Sequence, residues 1–230
     1  MLTQATVENG SSHYWPEPAP RRRLSVRSHA LGEAFERMGA PVPFGRNEEI
    51  YGETEPANYL YKVISGTVRT YKVLIDGRRQ IGAFYLPGEI FGLEAGEEHV
   101  FSAEAVVDAR VLVLKRSVVA SLAARDNKVA RELWTLTGRE LQRTQKHLLL
   151  LIKTAAERVA SFLLEMAERI QCSDEVELSM SRQDIADYLG LTIETVSRTL
   201  TQFENESAIA LPACKRIVLR NPAVLRQLIA

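Results

Sequence analysis

The stretch SRQDIADYLGLTIETVSRTL, residues 181–200, holds two helix starts around a single glycine and restricts the fold more than any other segment of the chain. Ser181 is placed to cap a helix, with Asp184 three residues on as the acidic half of a capping box. Ile185, Ala186 and Leu189 then share one face of that helix. Gly190 falls where a tight turn needs positive φ, which glycine adopts without steric cost. Thr192 is placed to cap the second helix, Glu194 suits its positive N-terminal end, and Val196, Leu200 and Phe203 form its inner stripe. Ala186 is small enough to let the two helices approach closely. This is the helix-turn-helix pattern, whose second helix lies in the major groove of DNA with its first side chains on base edges.

Glu194, Ser197 and Arg198 point outward near that end and are the candidate base readers. Arginine donates two bonds to guanine O6 and N7, and glutamate accepts from cytosine N4, each good pair discriminating by roughly 1–3 kcal/mol. Ser181, Arg182, Gln183, Thr192, Ile193 and Thr195 surround them as candidates for DNA-backbone contact or support. The following run IALPACKRIVLRN, 209–221, carries two β-compatible segments and reads as the hairpin wing of a winged helix, with Lys215 and Arg216 near its tip. Residues 155–230 hold eight Lys/Arg against eleven Asp/Glu, a net charge of −3, which excludes a nonspecific basic clamp. Phosphate contacts then have to come from the tail cations and from helix N-termini. A surface Glu194–Arg198 pair at i and i+4, with no role in DNA binding, is the competing reading.

Upstream the texture differs. From Ile50 to Lys115 short apolar segments alternate with the turn dipeptides Ser65-Gly66, Asp76-Gly77 and Pro87-Gly88, which predicts consecutive antiparallel hairpins. VLVLK, 111–115, is apolar enough for a buried strand, and the block reads as a small β-roll or barrel. Beyond Lys115 no proline occurs until Pro212, and Ala130, Trp134, Thr137, Leu141, Thr144, Leu148 and Leu151 recur at alternating spacings of 4 and 3. That is the seam of a coiled coil or long bundle helix and calls for a partner, here a second copy of the chain. Leu133 and Leu136, on a neighbouring face, are free to pack on the roll. A further amphipathic helix runs from Thr154 to Ile170 with Ala156, Val159, Ala160, Leu163, Met166, Ala167 and Ile170 on one side. The fold class is α+β. Residues 1–28 read as a mobile arm with the basic run Arg21-Arg22-Arg23, 29–126 as the roll, 127–153 as the dimerisation helix and 154–230 as the winged helix-turn-helix.

Equal numbers of basic and acidic residues, 29 each, give no global field for a polyanion. Two cysteines, Cys172 and Cys214, are too few for a disulfide framework or an all-cysteine metal site, and a reducing cytoplasm fits best. No apolar run reaches the roughly 18 residues of a membrane span. Cys214, beside Lys215 and Arg216, is a candidate redox-active thiol, with an unreactive wing cysteine as the alternative. Cys172 reads as a small packed residue, and His99 and His147 stand apart from companion ligands at metal spacing.

The order of β-roll, long helix and winged helix-turn-helix resembles the catabolite activator and fumarate–nitrate regulator (Crp/Fnr) superfamily over about residues 35–221. Glu194, Ser197 and Arg198 stand where the fumarate–nitrate branch has its glutamate, serine and arginine, and the likeness is nearest to the FixK-like regulators. The resemblance implies a roll of the cyclic-nucleotide-binding type and a homodimer on double-stranded DNA at a TTGAT/ATCAA-type palindrome. It also implies transcription activation through contact with RNA polymerase, in low-oxygen or nitrogen-fixation control, and no catalytic site.

Two departures follow from the same likeness. Cyclic-nucleotide members carry Gly-Glu for the ribose and Arg-Ser for the phosphate, where this chain has Gly92-Leu93 and His99-Val100. Without its arginine an anionic phosphate is poorly held. Iron–sulfur members use several cysteines, mostly near the N-terminus, whereas the first cysteine here is Cys172. The chain is therefore expected to act without cofactor or metal. A cupin-like metalloenzyme built on the roll, or a regulator answering an unfamiliar small molecule, are the alternatives. The first needs a cluster of His and carboxylate ligands, and the strand-forming stretch 50–115 of the roll offers His99 alone.

Overall fold

A computed structural model of the chain describes residues 30–170, 175–213 and 215–229. The arm at 1–28, Cys172 and Cys214 lie outside the described residues. The first helix, α1 (Ala30–Met38), buries Leu31, Ala34 and Phe35. The sequence reading has no helix there, because a nine-residue segment carries little periodic signal and this one is capped from far away. The N–H groups of Ala30 and Leu31 donate to the Glu132 carboxylate at 2.7 and 2.8 Å, satisfying two of the open donors of the first turn.

Eight strands follow: β1 (Ala40–Phe44), β2 (Glu49–Tyr51), β3 (Tyr59–Ser65), β4 (Val68–Val73), β5 (Arg79–Tyr85), β6 (Ile90–Phe91), β7 (Ser102–Ala105) and β8 (Ala109–Lys115). They make two antiparallel four-stranded sheets, ordered β1-β8-β3-β6 and β2-β7-β4-β5. The expectation of consecutive hairpins is corrected here. Asp76-Gly77 does close a hairpin between β4 and β5, but Ser65-Gly66 and Pro87-Gly88 carry the chain from one sheet to the other. A turn dipeptide reports local φ and leaves the next strand's partner open; β3 pairs instead with β8, Tyr59 opposite Lys115.

The two sheets enclose Tyr51, Tyr61, Val63, Val68, Ala83, Tyr85, Phe91, Ala103 and Val111. The opposite side of the first sheet is covered by α1, by α2 (Arg116–Arg125) and by α3 (Asn127–Leu150), where Leu60, Leu112 and Leu114 meet Phe35, Val119 and Val129. VLVLK is apolar at successive positions because β8 is buried on both faces.

Helix α4 (Ala155–Ile170) opens the C-terminal part, followed by β9 (Glu175–Glu177), α5 (Arg182–Leu189), α6 (Ile193–Asn205), β10 (Ile209–Ala213), β11 (Arg216–Leu219) and α7 (Pro222–Ile229). The expected wing forms as β10 and β11, and β9 extends it into a three-stranded sheet. The expected faces of α4, α5 and α6 meet in one core with Ile217, Leu219 and Leu225. That core runs on into the roll through Ile81, Phe84 and Val106, so roll and helix-turn-helix share apolar contact.

Gly66 and Gly77 both have positive φ, +82° and +80°, but differ in surroundings. A Cβ on Gly66 would lie 2.4 Å from the Asp108 carbonyl oxygen, whereas one on Gly77 meets nothing within 4 Å. Gly77→Ala should therefore cost only the left-handed backbone penalty of about 1–2 kcal/mol. Gly66→Ala should cost roughly a further 1–3 kcal/mol for the clash, and urea melts that rank the two equally would contradict the sheet-switching geometry.

Candidate nucleic-acid interface

Both halves of the capping box are present at the start of α5. Ser181 Oγ accepts the Asp184 N–H at 3.1 Å, and Asp184 Oδ2 accepts the Ser181 N–H at 2.9 Å. Gly190 ends the helix in the left-handed conformation, φ 62° and ψ 40°, as expected for a glycine stop. Thr192 starts α6, its hydroxyl oxygen accepting the Thr195 N–H at 3.2 Å. Val196, Leu200 and Phe203 are buried against the rest of the C-terminal part.

That packing leaves Glu194, Ser197 and Arg198 exposed together on the free side of α6. Its own backbone N–H, the Thr192 hydroxyl and the nearby Arg198 hold the Glu194 carboxyl below the usual carboxylate range, so it is a lasting acceptor. Ile193 and Gln183 are also exposed, and Gln183 donates to Asp187 at 2.6 Å. Ser181, Arg182 and Thr195 are partly buried. Ser181, Thr192 and Thr195 thus act first within the helix starts. At the wing, Lys215 donates to the Ser179 carbonyl at 2.9 Å. Arg216 makes a two-pronged pair with Glu175, one arm at 2.8 Å, which raises the guanidinium pKa further. The wing cations are engaged within the protein, in contrast to Arg198, which has no hydrogen bond or ion pair among the described residues.

Sequence reasoning missed what fixes this pair of helices to the remainder. Arg69 on β4 is 6% exposed; it donates to Glu104 on β7 at 2.6 Å and to Asp184 Oδ1 at 2.6 Å. Arg79 on β5 reaches Asp184 Oδ1 at 2.7 Å and Asp187 at 2.8 Å. Thr67 donates to Ser179 at 3.0 Å and Gln80 to the Tyr188 carbonyl at 3.3 Å. Arg158 binds four carbonyls, Leu151 at 2.5 Å and Lys153 at 2.8 Å in the joint after α3, and Leu189 at 2.9 Å and Gly190 at 3.3 Å in the turn between α5 and α6. These partners lie up to 115 residues apart and leave no local trace in the sequence.

Inside the roll, His99 is 2% exposed and stacks on Tyr51 at 3.5 Å, with Tyr61 and Phe91 against the same ring. Its Nδ1 lies 3.2 Å from Glu94, an electrostatic approach without hydrogen-bond alignment. Gly92 lies so close to the Tyr61 ring that a Cβ there would be 2.9 Å away. His147 lies against the Tyr188 ring at 4.2 Å, tilted by 36°, and burial together with Arg143 lowers its pKa. Among the described residues no three His, Cys, Asp or Glu side chains come together as metal ligands. No helix among them is long and apolar enough to cross a membrane.

Along α3, Leu133 and Leu136 pack on the roll side. Trp134, Leu141 and Leu148 are 82%, 60% and 66% exposed, with Thr137 and Thr144 exposed between them; Ala130 and Leu151, at the two ends of the expected seam, are partly buried.

Residues 157–228 match the family model of the Crp-like helix-turn-helix domain, and residues 41–126 that of the cyclic nucleotide-binding domain. The nitrogen fixation regulation protein FixK of Azorhizobium caulinodans is 49% identical, over 98% of this chain and 93% of that one. Its namesake in Rhizobium meliloti is 43% identical, over 91% of this chain and 97% of that protein. The structure of FixK2 from Bradyrhizobium japonicum superimposes with a TM-score of 0.81 at 50% identity, covering 84% of this chain and 98% of that one.

Replacing Thr192 by Ala removes the cap of the exposed helix and should lower folding stability by about 1 kcal/mol, while Thr192→Ser should retain most of it. Chemical denaturation of the three proteins checks this, and equal midpoints would mean that the cap contributes nothing.

Proposed function

The chain belongs to the FixK branch of the Crp/Fnr family, and from that premise we propose that it is a homodimeric activator of transcription reading a TTGAT/ATCAA-type palindrome. It is a DNA-binding transcription regulator and not an enzyme. The observation that carries the finer reading is the joint exposure of Glu194, Ser197 and Arg198 on one side of a helix capped by Thr192 and packed on its other side. Arg198 has the reach and free donors for a guanine edge, and the ionised Glu194 accepts from a cytosine amino group. The helix start adds oriented N–H groups for phosphate, with Ser181, Arg182, Gln183, Thr192, Ile193 and Thr195 at the rim. Lys215 and Arg216 are supporting contacts that first have to leave their partners.

The Trp134, Thr137, Leu141, Thr144, Leu148 and Leu151 seam supports dimerisation, since an apolar stripe of this kind along a long helix is costly to leave in water. Activity without cyclic nucleotide is supported by the aromatic filling of the roll and by Leu93 and His99 at the two expected contact positions. RNA polymerase is the proposed partner on DNA, the cytoplasm the proposed location, and low-oxygen or nitrogen-fixation genes the proposed targets, as the names of the relatives suggest. Oxidation of Cys214 is a separate proposed control.

Mobility-shift assays without effector should show specific binding to the palindrome, and equal affinity for a scrambled duplex would refute the reading. Arg198→Ala should reduce discrimination at the guanine of each half-site by about 1–3 kcal/mol, and an unchanged base preference would remove Arg198 from the readout. Leu141→Asp places a charge in the proposed seam and should convert dimer to monomer in analytical ultracentrifugation. A dimer of unchanged strength would move the interface elsewhere.

A further inference from the structure

Several connections hold the recognition helix to the rest of the protomer. One is covalent, the short joint between α3 and α4, and a joint by itself leaves rotation open. Arg158 bridges that joint to the α5–α6 turn, and Arg169 on α4 donates to the Phe84 carbonyl at 2.6 Å and to Glu89 at 2.7 Å. The one that reaches the helix-turn-helix itself from the roll is the contact of α5 with the β4–β5 hairpin. Its apolar part, Ile81, Phe84 and Val106, is non-directional. Its polar part is directional: Asp184 and Asp187, three apart on α5, face Arg69 and Arg79 on adjacent strands, with Glu104 completing the group from β7. The side chains of Arg69 and Asp184 are only 7% and 6% exposed. A planar guanidinium with fixed donor directions, held by carboxylates away from water, tolerates little sliding or rotation. Buried ion pairs contribute weakly to net stability but strongly penalise arrangements that leave one charge unpaired.

We propose that Arg69 and Arg79 are positioning residues for DNA binding: with Glu104, Asp184 and Asp187 they set the angle of α6 against the dimer seam, and so the half-site spacing that the dimer accepts. The proposal rests on the reading of the chain as a dimer on a palindrome. In a two-fold dimer, a change in the angle of each recognition helix alters the distance between the two, and half-site spacing is the quantity that reports it.

The test compares the full-length wild type with Arg69→Met and Arg79→Met on three sets of duplexes: a single half-site, the palindrome, and palindromes respaced by one or two base pairs. Dimer content and thermal melting are recorded alongside. Arg69→Met should keep half-site affinity and base preference, lose about tenfold on the natural spacing and flatten the spacing profile, with Arg69→Lys intermediate. Arg79→Met, whose side chain is 25% exposed, serves if Arg69→Met fails to fold, and should show the same flattening in weaker form. An unchanged spacing profile, or equal losses on half-site and palindrome, would reduce the cluster to a structural contact and overturn the proposal. Tighter binding at every spacing would overturn it as well, by making the cluster an autoinhibitory latch. A wild type that fails to tell palindrome from scrambled duplex would instead refute the DNA-reading premise.

Discussion

One carboxylate connects the two ends of this molecule. Asp184 uses Oδ2 to close the capping box of α5 and Oδ1 to receive Arg69 and Arg79 from the roll. The residue that starts the first helix of the helix-turn-helix is therefore also the residue through which the sheet holds it. In water an Asp–Arg pair contributes little. Here the arginine is nearly fully covered and its donors are divided among Glu104, Asp184 and Asn47, so the arrangement is specified rather than merely tolerated. Together with the Thr67–Ser179, Gln80–Tyr188 and Arg169–Glu89 bonds, this contact places the helix pair against the roll.

The interior of the roll complements that anchoring. Between the two sheets Tyr51 stacks on His99 and Tyr61 on Phe91, and Gly92 is pressed against the Tyr61 ring. Burial pushes the Tyr61 phenol up to about 12 and Tyr51 further in the same direction, so both stay neutral across physiological pH. These aromatic side chains form part of the core that backs the β4–β5 hairpin. The hairpin is in turn fixed to α5 through Arg69 and Arg79.

Helix α3 serves several neighbours at once. Glu132 caps α1, Leu133 and Leu136 pack on the roll side, and Glu140 accepts from the Tyr85 hydroxyl at 2.9 Å while Arg143 lies over the Tyr85 ring at 4.6 Å. The remaining stripe, from Trp134 to Leu148, is left in solvent by its own protomer. Arg158 then joins the end of this helix to the turn before α6, so the proposed dimer seam and the recognition helix are linked through four carbonyls on one guanidinium.

Most of the helix-turn-helix was legible because its determinants are local: a serine or threonine cap, an acid three residues on, a glycine at positive φ and apolar residues at helical spacing. The helix α3 and the doubly buried VLVLK strand were legible for the same reason, since each leaves its spacing or its apolar run in the chain. The strand partners across Ser65-Gly66 and Pro87-Gly88 and the capping of α1 by Glu132 were not, because each depends on residues remote in sequence. The sequence by itself determined the elements and the side of α6 that faces outward. Only the tertiary structure decided that Asp184 meets Arg69 and Arg79, because the energy of a buried ion pair belongs to a geometry that no local pattern encodes.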